Sequence, residues 1–204
     1  MAEKFLEKTY GCETPQATRA HYDDWAASYD AEISENGYAT PGRCAEALAR
    51  HLSDKTAPIL DFGCGTGLSG LALATQGFTA IDGIDPSAGM LAEAAKRGLY
   101  RNLIHIEPGA DIPGVPGSYA AIAAIGVIGA GAAPISVFDV LMEGLAPGGL
   151  VVLSFNDHAL EDPENEGKLD DWTGSGRALL RFKDYGPHLP GIGLKSNVYV
   201  LEKT

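Results

Sequence analysis

The sequence predicts an α/β fold: a doubly wound, Rossmann-like, mostly parallel sheet with helices on both faces and a C-terminal antiparallel hairpin. Three observations predict it. From about residue 58 to 155, short apolar runs alternate with helical stretches, the rhythm of βαβ units. One junction, Gly63-Cys-Gly65-Thr-Gly67, places glycine at every second position between an apolar strand and a helix. Near the end, runs 177–185 and 194–201 are strand-like and flank a Gly- and Pro-rich turn, which reads as a hairpin.

The elements follow in order. Residues 16–35 carry Tyr22, Trp25, Ala26, Tyr29 and Ile33 at helical spacing, with Thr18 as the expected N-cap. A second helix is expected over about 41–53, with Pro41 in its first turn. Residues 58–62 form a short apolar strand, 63–67 the glycine loop, and 68–76 a helix stopped by Gly77. The next strand is 78–84, followed by a helix over 87–97 ended by Gly98 and a strand over 103–107. Residues 119–125 are rich in Ala and Ile, apolar enough for a strand buried on both faces. The longer apolar run 119–138 contains Gly126, Gly129, Gly131 and Pro134 with no flanking Lys or Arg, so it reads as strand, loop and helix start rather than a membrane span. A helix over about 134–145 closes at Pro147-Gly-Gly149, and 150–155 is another buried strand. The polar, acidic segment 156–176 is expected to be a loop or a short helix.

Composition narrows the function classes. The 204 residues hold 15 Lys+Arg against 27 Asp+Glu, a formal net charge of -12. Nucleic-acid coating needs a basic stripe that displaces counterions, so no nucleic-acid partner is expected, and an anionic membrane surface is disfavoured for the same reason. Cys12, Cys44 and Cys64 are odd in number and have no short-spaced pair. That argues against a disulfide framework or zinc cluster and fits a reducing cytoplasm, the expected location. The first eight residues alternate charge too closely for a signal peptide. No His/Cys/Asp spacing resembles a metal site, so none is expected. The expected partner is a small-molecule substrate, with the chain a monomer or homodimer.

The glycine loop carries the chemistry. Its glycines permit a tight turn and let a ligand touch bare backbone. The next strand ends in Asp85, 24 residues after Asp61. In an open α/β sheet that acid sits beside the loop and can accept both hydroxyls of a ribose, so a nucleoside-containing ligand is implied. Two cofactors compete. Gly65-x-Gly67-x-x-Gly70 matches the dinucleotide fingerprint, with Asp85 20 residues past Gly65, which allows an NAD(P)-binding oxidoreductase. Against it, Asp61 stands just before the loop, suited to an amino-acid ammonium and unwelcome beside a pyrophosphate. The chain is also short for a separate substrate domain.

Asp61-Phe-Gly-Cys-Gly-Thr-Gly67, Asp85-Pro-Ser and the terminal hairpin resemble the class I S-adenosylmethionine-dependent methyltransferases over about residues 40–204. His21-Tyr-Asp-Asp-Trp-Ala-Ala-Ser-Tyr-Asp30 resembles the opening helix of their small-molecule members. Within the family, the likeness is to the Williams-Beuren region methyltransferase-like branch and its bacterial relatives. The resemblance implies S-adenosylmethionine as cofactor and S-adenosylhomocysteine as product. It places Gly63, Cys64 and Gly65 along the methionine part, with Asp61 toward its ammonium. Asp85 would hold the ribose hydroxyls, with Pro86 and Ser87 bordering the adenosine and Met90 covering the adenine. Asp111, with backbone contacts at Ala110 and Ile112, would meet the adenine edge. Ile125, Gly126 and Val127 would lie near the sulfonium. Residues 1–204 then form a single methyltransferase domain, with 1–55 a helical lid region bearing Tyr22, Trp25 and Tyr29, and 56–204 the cofactor-binding core.

A sulfonium is already a strong electrophile, so the protein mainly aligns a nucleophile and removes water. A base is needed only for a protonated acceptor. His158, just after the fifth strand, is the leading candidate, with Asp157 and His188 behind it and Tyr185 as a polar wall. The alternatives to a small-molecule methyltransferase are the NAD(P) oxidoreductase and a non-catalytic S-adenosylmethionine-binding module.

Overall fold

The computed structural model of the chain describes residues 15–107, 112, 114, 116–129 and 132–204. Helices α1 (Pro15–Glu35) and α2 (Thr40–His51) come first. They are followed by strand β1 (Ile59–Phe62), α3 (Leu68–Thr75), β2 (Ile81–Asp85), α4 (Ala88–Lys96), β3 (Asn102–His105) and β4 (Ala121–Ala124). Then come α5 (Val137–Glu143), β5 (Leu150–Asn156), α6 (Asp157–Leu160), α7 (Pro163–Gly174), β6 (Ala178–Leu189) and β7 (Leu194–Lys203). The strands form one sheet in the order β3-β2-β1-β4-β5-β7-β6.

Side chains alternate across a strand, and the apolar runs use both faces. Leu60, Ile122, Val151, Leu153 and Phe155 pack with Phe138 and Leu141 of α5 and Trp172 of α7. Their neighbours Ile59, Ala121, Ala123, Leu150 and Val152 pack with Cys44, Ala45 and Leu48 of α2 and Leu73 of α3. Every residue of β1, β2 and β4 is buried, as a parallel sheet covered on both faces requires. The strand order reverses at β1, which pairs with β2 on one side and β4 on the other. At such a switch point the loops leave the strand ends in opposite directions and open a crevice.

Three local expectations are corrected. Helix α1 starts at Pro15, so Thr18 lies within it and is not its N-cap. The second strand is Ile81–Asp85 rather than 78–84. Phe78 and Thr79 bond instead to Leu73 and Lys55 as the chain leaves α3. Segment 156–176 holds two helices, each started by a side-chain cap: Asn156 accepts from the Ala159 N–H and Asp162 from the Glu164 N–H. The C-terminal antiparallel hairpin is present as expected: β7 pairs antiparallel with both β5 and β6, so β7 lies inside the sheet and β6, at the edge, runs parallel to β5.

Helix α1 lies outside these layers. Its Trp25 and Ile33 pack with Leu189 of β6 in a third apolar cluster bordered by Tyr22, Tyr29 and Tyr38. No helix among the described residues is long and apolar enough to cross a membrane.

Candidate active site

The loop after β1 has the backbone its glycines permit. Gly63, Gly65 and Gly67 all adopt positive φ, at 69°, 53° and 88°. A side chain at Gly63 would strike Val127, its Cβ falling 2.6 Å from Cγ2, whereas a Cβ at Gly65 would meet only open space. That space is a cavity of about 550 Å³, within the size range of small-molecule sites. Gly67 and Gly70 do not line it; they face Tyr100, whose hydroxyl would lie 2.3 Å from a Cβ at Gly70. The glycines that match the dinucleotide spacing thus divide between cavity and packing.

The cavity walls come from the carboxyl edge of the sheet. Gly63, Cys64 and Gly65 line it after β1, Asp85, Pro86 and Ser87 after β2, and Ile125, Gly126 and Val127 after β4. Met90, Ile106, Val137 and Val140 form an apolar wall, and Tyr22 and Tyr29 reach in from α1. Asp85 is fixed by two backbone donors. Gly65 N–H donates to Oδ2 and Ser87 N–H to Oδ1, each at 2.8 Å. Each oxygen keeps a further lone pair for a ligand hydroxyl. Burial pushes the Asp85 carboxyl above its ordinary pKa, and these two bonds oppose the rise.

Asp61 lies behind the loop. Fully buried, it accepts at Oδ2 from Ser69 (2.6 Å) and Tyr100 (2.7 Å), while its buried Oδ1 has no hydrogen-bond partner among the described residues. Burial pushes its pKa up to about 6, against the two hydroxyl donors. The folded chain therefore binds this proton more tightly than the unfolded chain. Ionisation costs stability above about pH 6, and the cost vanishes as pH falls toward 4. The stability difference between Asp61→Asn and wild type is expected to shift by about 2 kcal/mol between pH 7.5 and pH 4 in urea melts. A difference constant with pH contradicts this.

Two acids of α1, seven residues apart, fasten the helix to the cavity rim. Asp23 Oδ1 accepts from the Ser87 hydroxyl at 2.5 Å and from Gly89 N–H at 3.0 Å. Asp30 accepts from the Thr66 hydroxyl at 2.6 Å and pairs with Arg97, whose Nε also donates to the Thr66 carbonyl. Ser87 caps α4 as well, accepting from Met90 N–H.

A second chamber of about 70 Å³ adjoins the first. Trp25 borders this chamber, not the main cavity. Ile112 lies elsewhere, packed on the core. Ala110 and Asp111 fall outside the described residues. His158 lines neither chamber: the helical turn capped by Asn156 carries it to the surface, 3.7 Å from Glu161. Asp157 is engaged by the Tyr185 hydroxyl and Lys195 N–H. His188 borders the second chamber. Tyr38, Arg97 and Tyr100 belong to no sequence motif that marks the site. The acids inside Tyr22-Asp-Asp-Trp-Ala-Ala-Ser-Tyr-Asp30 are the visible sequence signal of the contacts that Asp23 and Asp30 make.

Comparison with known proteins now decides the family. Residues 37–190 match the methyltransferase domain model, most of the chain. The chain belongs to the methyltransferase domain family. It is 35% identical over 136 residues to human methyltransferase-like protein 27, covering 65% of this chain and 55% of that protein. It is 40% identical over 87 residues to the bovine 18S rRNA (guanine-N(7))-methyltransferase, covering 43% and 30%. The chain thus spans about half the length of the first curated relative and less of the second. Among solved structures, the fold is shared with a Haloferax volcanii methyltransferase complexed with the activator Trm112 (TM-score 0.68, 16% identity, 91% of this chain and 97% of that one). It is also shared with a Thiobacillus denitrificans methyltransferase bound to S-adenosylhomocysteine (TM-score 0.56, 14% identity, 79% and 91%).

The methyl donor of this methyltransferase family is S-adenosylmethionine. The residues present fit it. Bare backbone at Gly65 faces open space, Asp85 offers two oriented oxygens, and Asp61 keeps a buried oxygen unpartnered behind the loop.

Proposed function

We propose that the chain transfers the methyl group of S-adenosylmethionine to a small-molecule acceptor. The observation that carries the cofactor half is Asp85, held by the Gly65 and Ser87 amides at the wall of a 550 Å³ cavity. What supports a small acceptor is the cover. Tyr22 and Tyr29 of α1 enter the cavity from above the sheet edge, and the chain's net charge of -12 gives a polyanion no basic track.

The bound cofactor supplies an electrophilic methyl on sulfur. The chain's residues then have three tasks. Asp85 would hold the ribose hydroxyls and the bare backbone of the glycine loop would pass along the methionine part, so that the reacting group would have little freedom left to lose. The aromatic face of α1 displaces water from the reacting centre. The walls beside Gly126 orient the acceptor. We read residues 15–51 as the lid over a core that begins near residue 56, with Asp23 and Asp30 as its latches. The double variant Asp23→Ala/Asp30→Ala is expected to release S-adenosylhomocysteine about 10-fold faster, worth ~1.4 kcal/mol for partly exposed bonds to charge. Deuterium uptake over 15–35 should rise with it. Unchanged release and uptake contradict the latch.

The test of the function is radiolabelled methyl transfer. With labelled S-adenosylmethionine, a metabolite extract is expected to accept label, and total RNA and denatured protein are not. Label on RNA alone would move the acceptor to nucleic acid. No label on any pool would leave a non-catalytic cofactor-binding module.

A further inference from the structure

The second chamber shares Tyr22, Tyr29, Tyr38, Gly126 and Ala132 with the cofactor cavity, so the two meet at the carboxyl end of β4. Gly126 leaves the junction open: its Cβ would fall 2.6 Å from the Tyr38 hydroxyl oxygen. Deeper in, the chamber is bordered by Asn156 and His188. Asn156 spends its amide oxygen on the Ala159 N–H, and its NH₂ has no partner among the described residues. His188 is only 7% exposed. Its Nδ1 lies 2.8 Å from Thr40 Oγ1, and its Nε2 has no hydrogen-bond partner among the described residues.

The proton direction along that contact follows from the groups behind it. Thr40 Oγ1 lies 2.9 Å from Ser196 Oγ, and Arg43 Nη1 lies 3.0 Å from the same Ser196 oxygen. A guanidinium only donates, so Ser196 accepts from Arg43 and cannot return its own proton there. Thr40 and Ser196 are both fully buried. The remaining acceptor for the Ser196 proton is Thr40 Oγ1. Thr40 must then donate to His188 Nδ1. The reverse order would strand a buried Ser196 hydroxyl at about 1–3 kcal/mol. A neutral His188 with Nδ1 accepting carries its proton on Nε2. Burial, the Arg43 charge and His158 keep the ring neutral by pulling its pKa down to about 4, and Asp157 alone opposes them. Base catalysis, considered for His188 from its position, is incompatible with that tautomer.

We propose that this chamber is the acceptor subsite, and that His188 Nε2–H, seconded by the Asn156 amide, binds a carbonyl oxygen of a neutral acceptor molecule. Among the described residues neither Lys nor Arg lines the chamber, so a carboxylate would lose its hydration there without a counter-charge. A neutral carbonyl loses less and finds two donors. Thr40, Ser196 and Arg43 are positioning residues that fix the tautomer. The proposal deepens the methyl-transfer reading and rests on it.

The test is NMR of the chain labelled with ¹⁵N-histidine, saturated with S-adenosylhomocysteine. His188 is expected to show the Nε2–H tautomer throughout pH 6–8. Thr40→Val should bring in the Nδ1–H form, and Thr40→Ser should not. Acetamide, as the neutral carbonyl probe, is expected to shift the Nε2 resonance, and acetate at equal concentration is not. An Nδ1–H tautomer in the wild type, equal shifts from the two probes, or no shift from either overturns the proposal. Titration of S-adenosylhomocysteine in the same samples reports separately on the cofactor. If it binds while His188 behaves otherwise, only the subsite falls; if it does not bind, the methyl-transfer reading falls.

Discussion

Asp85→Ala is expected to weaken S-adenosylhomocysteine binding by about 10- to 150-fold, the equivalent of ~1.5–3 kcal/mol for hydrogen bonds to a charged group. The carboxylate acts twice. It presents two oxygens to the cavity, and it holds the Gly65 and Ser87 amides in the positions that shape the loop and start α4. Asp85→Asn damages both roles as well. Its oxygen can still accept from Ser87, but its NH₂ would face the Gly65 N–H, donor against donor. Isothermal titration of both variants should therefore show alanine and asparagine weakened, with native thermal melts confirming the fold. Wild-type affinity in Asp85→Ala would remove this residue from the site.

Phe155→Ala is expected to act in the opposite sense, on stability and not on the cofactor. Phe155 is fully buried on β5, its ring 5.4 Å from that of Tyr199 on β7, and it lines neither chamber. Emptying such a site costs about 3–5 kcal/mol, because the lost ring contacts and the residual cavity both count. For a chain of this size each kcal/mol lowers Tm by about 2–4 °C, so a fall of about 6–20 °C should appear by calorimetry. At 10 °C, where the folded form persists, S-adenosylhomocysteine affinity should stay near wild type. A small change in Tm would mean that the core relaxes around the deletion.

The sheet and the crevice at its carboxyl edge were legible in the sequence because their causes are local. Apolar runs between helical stretches mark strands buried on both faces, and the glycine loop with Asp85 marks the carboxyl edge where they meet. The helices of 156–176 were legible in part: Asp162-Pro163 is a helix start of cap and proline, masked by the acidic composition around it. His158 misled for a local reason too. Its place after β5 suggested the crevice, but Asn156 starts a helical turn there and the turn faces the imidazole outward. What the sequence does not carry is contact at long range. Thr40 meets His188 and Ser196 across 148 and 156 residues. Tyr100 reaches Asp61 across 39 residues. No spacing rule connects such positions, because the packing of α2 on the C-terminal strands brings the first set together and the β2–β3 pairing brings the second.

The most direct measurement is a crystal structure of the chain grown with S-adenosylhomocysteine. The expected result places the ribose hydroxyls within hydrogen-bond distance of both Asp85 oxygens, and the homocysteine part along the backbone of residues 63–65 with its sulfur toward Gly126. A ligand bound elsewhere, or a crevice without it at saturating concentration, would contradict the assignment of this site.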